Sequence, residues 1–338
     1  MLLLDLHAAA AGVAVTLVTD TPAAHGLIHA AGFYSCDEEF VRTFAPFCRE
    51  GVERGEPTVV RLEQHKTALL RSTLDERHEV VFLGTDGQYE HPPGAFSVVF
   101  DLVREHADGP GKPLRLLGEL PALVGLGRDA WMRYEAAVNQ VLRHMPVHAL
   151  CAYDTRATHE VIQDQVRRTH PVIAAADGRR HPSPAYEPPE TFIANREQPV
   201  CDPLEAGPPA LELRNPTPAR TRATLRALAR DTHLDPDERD NLLAAASEVV
   251  TNALLHGRPP VVVRAWGRPG RVVIAVRDAG DGPRDPFAGL VPVDARERES
   301  GLGLWITHQL CPEASLSGTD GFTVRLATGR SHAPAFAP

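Results

Sequence analysis

Glu248 and Asn252 stand four residues apart in the run Ser247-Glu248-Val249-Val250-Thr251-Asn252-Ala253-Leu254-Leu255-His256-Gly257. On a helix this spacing stacks a carboxylate and an amide oxygen on one face, one turn apart. Such a pair can hold a hard cation through oxygen ligands while the carboxylate polarises the hydroxyl of a nucleophile. A solvated polar stripe on an amphipathic helix satisfies the same spacing. Two further blocks follow. Asp278-Ala279-Gly280-Asp281-Gly282 offers an acceptor for an exocyclic amine such as that of adenine, and its glycines let the backbone come close to a flat ligand. Gly301-Leu302-Gly303-Leu304 is a glycine-rich turn entering an apolar helical stretch, which turns backbone N–H groups and a helix N-terminus toward phosphate oxygens. Each block alone is common. In this order the three read as an ATP site.

The elements that must position these residues follow from periodicity. From Asp240 to Leu255 the apolar residues Leu243, Ala246, Val250 and Leu254 recur at three- and four-residue steps and predict a helix with that face buried. Arg271 to Arg277 reads as a buried strand with Asp278 at its exit. Upstream, Pro218 to Thr232 suits a single helix. Between Pro182 and Pro218 stand ten prolines, which exclude a continuous helix and predict an extended linker. A sensor histidine kinase is thereby disfavoured. It would need a phosphoacceptor histidine on a helical hairpin directly upstream, and only His233 lies nearby.

The C-terminal segment, residues 211–330, resembles the GHKL ATPases with the Bergerat fold, and within them the anti-sigma-factor serine kinases. The resemblance implies an α/β sandwich in which Asn252 ligates Mg²⁺ and Glu248 is the general base. Asp278 would bind adenine beside Gly280 and Gly282, and Gly301, Leu302, Gly303 and Leu304 would line the phosphates. In the closing strand Gly321-Phe322-Thr323-Val324-Arg325-Leu326, Thr323 would add an adenine-side hydrogen bond. Asp281 and Pro283 depart from the usual adenine turn, and the stretch between 284 and 300 is short for a lid. Arg296 and Arg298 within it either reach the terminal phosphate or are solvated charges. By resemblance the cofactors are ATP and Mg²⁺, the substrate is a serine of a STAS-type anti-anti-sigma protein, a sigma factor is the competing partner, and the chain dimerises. Glu248 could equally activate water, so a slow ATPase and a non-catalytic, ATP-gated binding switch stand as alternatives.

Chain length and composition agree with two domains. At 338 residues, with roughly 100–200 residues per domain, two are expected, and a hydrophobic fraction of 43% supplies ordinary cores. A net charge of −9 with no Lys/Arg-rich run disfavours direct nucleic-acid binding. Met1 to Val18 is apolar, but Asp5, His7 and the lack of a basic n-region argue against a signal peptide, and the stretch is too short to span a membrane. A cytoplasmic location is expected. The five cysteines, Cys36, Cys48, Cys151, Cys201 and Cys311, are scattered without a Cys-x-x-Cys pair, so neither a disulfide framework nor a zinc motif is indicated. His25 and His29, at helical spacing, could join Cys36 or Cys48 around a metal, but that spacing carries no third ligand.

Residues 20–175 alternate short apolar runs with helical patterns. Thr58 to Leu62, Val80 to Leu83, Phe96 to Phe100, Leu114 to Leu117 and His148 to Tyr153 suit strands; Phe40 to Arg54, Lys66 to Thr73, Arg128 to Leu142 and Thr158 to Thr169 suit helices. That order predicts a doubly wound parallel sheet with its site at the strand C-terminal ends. This region resembles the MEDS sensory domains, a degenerate RecA-like α/β fold. The resembling pieces are His25-Gly26, Phe33-Tyr34, Phe44-Ala45-Pro46-Phe47, Gly51, Gly55-Glu56-Pro57, Leu114-Arg115, Gly118-Glu119, Tyr134-Glu135, Asn139, Cys151-Ala152-Tyr153-Asp154 and Thr169-His170-Pro171. In place of a phosphate loop stands Asp20-Thr21-Pro22-Ala23-Ala24-His25-Gly26, without a Gly-Lys-Ser/Thr end. The resemblance implies an unidentified small-molecule signal in a pocket containing His25, Tyr34, Glu119, Glu135, Cys151, Tyr153 and Asp154. Tyr34 and Tyr153 serve equally as core rings with satisfied hydroxyls, and Glu135 as an ordinary helix-face charge. Residues 176–210 would be the linker between the two domains.

Overall fold

The computed structural model describes residues 26–74, 79–84, 92–106, 112–120, 127–194, 201–291, 302–318 and 321–330. The N-terminal unit is built on β1 (Ile28–Tyr34), β2 (Thr58–Arg61), β3 (Val80–Leu83), β4 (Leu114–Glu119), β5 (Val147–Asp154), β6 (Val172–Ala174) and β7 (Arg180–Pro182), in the order β3-β2-β4-β5-β1-β6-β7. All pairings are parallel except β6 with β7. Helices α1 (Asp37–Glu53), α2 (Gln64–Thr73), α3 (Pro92–His106), α4 (Gly127–Val141) and α5 (Glu160–Thr169) connect the strands. One face packs Tyr34, Leu117 and Leu150 against Phe40, Phe44 and Leu70 of α1 and α2. The other packs Val59, Leu116 and Tyr153 against α3, α4 and α5. Buried strands covered on both faces by helices are the physical content of a doubly wound sheet.

One strand reading changes, and one strand is added. Phe96 to Phe100, expected as a strand, lies inside α3, where Pro92 and Pro93 occupy the first turn and burial recurs at Ala95, Phe96, Val99 and Leu102. A short apolar run does not distinguish a buried strand from a buried helix segment. The added interior strand β1 carries Ala30, Ala31 and Gly32 in place of β-branched residues. A Cβ on Gly32 would lie 2.7 Å from the Phe44 ring, so close packing by α1 selects small residues there.

The C-terminal unit is an antiparallel sheet of β8 (Leu211–Arg214), β9 (Val262–Arg268), β10 (Arg271–Asp278), β11 (Glu313–Ser317) and β12 (Phe322–Gly329), in the order β11-β12-β10-β9-β8. One face of this sheet is covered by α7 (Pro218–Arg230), α8 (Pro236–Leu255) and α9 (Leu302–Leu310), with Leu225, Leu243, Ala246, Val250, Ile274 and Leu326 in a common core. Helix α8 begins where Asp235 accepts from the backbone N–H groups of Asp237 and Glu238 and Pro236 fills the first turn. Its buried stripe runs through Leu243, Ala246, Val250 and Ala253, whereas Leu254, expected on that face, is 44% exposed. A period of 3.6 turns the last step toward Ala253.

Residues 176–210, expected as an extended linker, are packed in their described parts. Strand β7 joins the N-terminal sheet, and Phe192 of α6 (Pro189–Ala194) is fully buried beside Met132 and Ala136. The turn Pro203–Ala206 is held on the C-terminal sheet, where Asp202 Oδ2 accepts from Arg271 Nη2 at 2.8 Å and Glu313 Oε2 accepts from the same nitrogen at 2.7 Å. Proline excludes regular helix and central strand, but it does not exclude docking. Arg271 is 1% exposed, and its removal would leave Asp202 buried without its partner. Arg271→Ala is expected to cost about 3–5 kcal/mol in denaturant unfolding of the full chain, and to make the peptide around Cys201 to Gly207 newly sensitive to protease.

The two units also touch directly. Arg133 Nη2 of α4 donates to the carbonyls of Pro286 at 2.9 Å and Ala288 at 3.1 Å, and Leu290 is fully buried in the N-terminal cluster with Phe96, Trp131 and Tyr134.

Candidate functional site

The nucleotide-site residues come from α8, the end of β10 and the start of α9. Asp278 is 5% exposed. Its Oδ1 accepts from the backbone N–H groups of Gly280 at 2.7 Å and Arg258 at 3.1 Å. Among the described residues Oδ2 accepts no hydrogen bond. The carboxylate is therefore locked in orientation with one oxygen open. The backbone crowds it: a Cβ on Gly257 would lie 2.5 Å from Asp278 Cγ, and one on Gly280 2.7 Å from Oδ1. Gly282 has φ +80° and packs against the Phe322 ring, a conformation and a clearance that a side chain would lose.

Asn252 and Glu248 are half-buried on α8. Neither side chain makes a hydrogen bond or ion pair among the described residues. The backbone of Gly303 in the first turn of α9 sits against the Asn252 amide, so that a Cβ at Gly303 would approach Nδ2 to 2.5 Å. The structure thus joins the first and third sequence blocks at Asn252 and Gly303. Leu302 is exposed, and Leu304 is half-buried against Gly289. Gly301, Arg296 and Arg298 lie outside the described residues.

Thr323 does not join this group. The β10–β12 register sets Asp278 opposite Phe322 and the exposed Arg277 opposite Thr323. Successive side chains on a strand point to opposite faces, so Thr323 faces away from Asp278 and Phe322 takes the position beside the adenine turn.

An open carboxylate oxygen, an amide oxygen and a carboxylate on one helix, and glycine backbone packed against them are features that an adenine nucleotide and a hard cation could use. Asp278 would hold the base, Asn252 the Mg²⁺, and Gly303 the phosphate side.

The sensory-pocket residues separate into two groups. Tyr34, Glu119 and Asp154 end β1, β4 and β5, at the strand C-terminal ends where a doubly wound sheet places its site. Glu119 accepts from Lys66 Nζ at 2.6 and 2.7 Å and from the Tyr34 hydroxyl at 3.2 Å. Burial opposes the charge on Lys66, but Glu119 and Tyr34 outweigh it and raise its pKa. Lys66 was not legible as part of this group. Asp154 pairs instead with Arg156 at 2.6 Å. Cys151 and Tyr153 lie on the sheet face under α4, and Glu135 points from α4 to that face, where Tyr153 donates to Glu135 Oε1 at 2.9 Å. His29 and His170 complete this second group, with ring centroids 4.0 Å apart. Burial, with His29 beside it, pushes the His170 imidazole down to about 3, so it is neutral. His25 lies outside the described residues, and Cys48 is in the core on the opposite face of the sheet from His29.

Comparison with known families accounts for most of the described chain. Residues 28–171 match MEDS, the methanogen/methylotroph, DcmR sensory domain, and residues 213–328 match the histidine kinase-like ATPase domain. The chain carries a MEDS domain followed by a histidine-kinase-like ATPase domain, a sensory unit joined to an ATP-binding regulatory unit. A domain of the second kind implies ATP binding, usually with Mg²⁺. No curated protein matches the chain. Among the described residues no helix is long and apolar enough to cross a membrane.

Proposed function

We propose that this protein is a ligand-responsive regulator whose C-terminal domain is a Mg-ATP-dependent serine kinase of the anti-sigma type, acting on a STAS-type anti-anti-sigma protein. The observation that carries the reading is the free Glu248 carboxylate one helical turn from Asn252, itself packed against Gly303. ATP would supply the phosphoryl group, and Mg²⁺ would neutralise charge on its phosphates. Asp278 accepts from the adenine amine through Oδ2, and its Oδ1 contacts prevent rotation away. Asn252 offers the amide oxygen to the cation. Glu248 takes the proton from the partner's serine hydroxyl, a role that a carboxylate without a competing partner can fill. Sensory control is supported by the grip of α4 on the loop that leads toward α9: Arg133 holds two of its carbonyls and Leu290 is inserted between α3 and α4.

The test is to mix the full chain, Mg-ATP and a STAS-domain protein from the same source, and to analyse the product by mass spectrometry. Phosphoserine on the STAS protein supports the kinase. ATP-dependent association without phosphate transfers the assignment to a binding switch that also engages a sigma factor, and ADP release without a modified partner makes the domain a slow ATPase.

A further inference from the structure

Four donor side chains from four elements converge inside the MEDS domain: His29 from β1, Glu135 from α4, Cys151 from β5 and His170 just after α5. One ligand atom from each lies within 4.8 Å of all the others. Nε2 of His29 is 3.1 Å from Glu135 Oε2 and 3.6 Å from Cys151 Sγ, and Nε2 of His170 is 3.4 Å from the same carboxylate oxygen. Zinc bonds of about 2.0–2.1 Å to nitrogen and oxygen and about 2.3 Å to sulfur give tetrahedral edges of about 3.3 Å between N and O and about 3.6 Å between N and S. These three separations lie close to those edges.

The neighbours of the cluster fix which atoms face inward. The Asn139 amide nitrogen donates to the carbonyl of Thr169 at 2.7 Å, which leaves its Oδ1 to accept from His29 Nδ1 at 3.2 Å. His170 Nδ1 donates to the carbonyl of Val166 at 2.9 Å. In a neutral imidazole the other nitrogen then carries a lone pair. His170 therefore aims its Nε2 lone pair at Glu135 Oε2, and neither of these two buried atoms makes a hydrogen bond. Two unsatisfied acceptors facing each other in a dry interior repel unless a cation lies between them. Histidines oriented by carbonyl acceptors at the second ring nitrogen are the usual outer shell of a metal site.

We propose that His29, Glu135, Cys151 and His170 form a four-ligand site for zinc or a metal of the same class, bound through the two Nε2 atoms, Oε2 and Sγ. Cys151 releases its proton to solvent on binding. One thiolate and one carboxylate then balance a divalent ion, so the buried site is neutral overall. The mix of a soft sulfur, two imidazoles and one carboxylate favours Zn²⁺ over Mg²⁺ or Ca²⁺. A cavity of about 40 Å³ bordered by His29, Glu135 and Cys151 adjoins the cluster. The site would clamp α4 at Glu135 and Asn139, on the same helix from which Arg133 grips the ATPase loop.

The experiment uses the full chain. Elemental analysis of the purified protein should find one zinc per chain, and Co²⁺ added to the chelator-stripped protein should give the thiolate-to-cobalt charge-transfer absorption and the intense visible bands of a tetrahedral site. Cys151→Ser should remove the charge-transfer absorption, while Cys48→Ser, in the opposite core, keeps it. Asn139→Ala retains all four ligands and should bind Co²⁺ roughly 10- to 100-fold more weakly, which keeps the proposal testable should Cys151→Ser fail to fold. A folded wild-type chain that takes up neither metal, or a charge-transfer band that persists in Cys151→Ser, overturns the assignment.

Discussion

Asp278→Asn should weaken ATP binding roughly 100-fold, a loss of about 3 kcal/mol, with little change in the fold. Asn keeps an oxygen at Oδ1, where Gly280 and Arg258 donate, so the turn retains its internal hydrogen bonds. The change falls on the other atom. Oδ2, an acceptor open to the ligand, becomes an NH₂ group, and the amine of adenine would meet a donor. The charge that strengthens the hydrogen bond is also lost. Guanine carries an acceptor at the equivalent position and should lose less, so preference for ATP over GTP narrows as well. Titration calorimetry with both nucleotides on wild type and variant measures the two effects together. Unchanged ATP affinity in a folded variant would remove Asp278 from the base site.

That prediction was available from the sequence because the residues concerned are close in the chain or belong to short blocks whose spacing encodes their geometry. Glu248 and Asn252 need only a helix, and Asp278 needs only a strand exit followed by glycines. Thr323 shows how narrow such legibility is. A displacement of one residue moves a strand side chain to the opposite face, and only the β10–β12 register reveals that Phe322 holds the position. The His29 cluster was hidden for a different reason. His29 and Asn139 are separated by 110 residues, and Cys151 and His29 by 122. No local pattern links them, and histidine spacing offered only His25 and His29 with Cys36 or Cys48, of which Cys48 lies in the opposite core. The docking of the proline-rich segment is hidden on similar grounds: composition reports what its backbone cannot form, while the contact at Asp202 depends on Arg271, 69 positions away.

The contact between the units changes how a sensory signal can travel. A proline-rich linker alone could space the two domains semi-rigidly or let one fold onto the other. The structure instead gives one helix, α4, contacts on both sides. Its inner side presents Glu135 and Asn139 to the buried cluster, and its Arg133 holds the carbonyls of Pro286 and Ala288. A small rotation of this helix would reach the ATPase loop without an intermediary. Packed interfaces shift between discrete arrangements, so a modest change at the cluster can alter which arrangement of that loop is favoured.

Glu248→Ala should separate chemistry from binding. The carboxylate has no hydrogen bond or ion pair among the described residues, so its loss should change stability by less than about 0.5 kcal/mol. Asp278, Asn252 and Gly303 are untouched, and affinity for Mg-ATP should stay within about threefold of wild type. Phosphotransfer to serine should fall by roughly 10²- to 10⁴-fold, the usual contribution of a positioned general base. Single-turnover formation of phosphoserine, compared with nucleotide affinity on the same preparation, measures the ratio directly. A variant that transfers phosphate as fast as wild type would deny Glu248 the role of base. A wild type that transfers none, yet binds its partner only with ATP and does so equally well as Glu248→Ala, would make the domain a switch in which the free carboxylate has no chemical task.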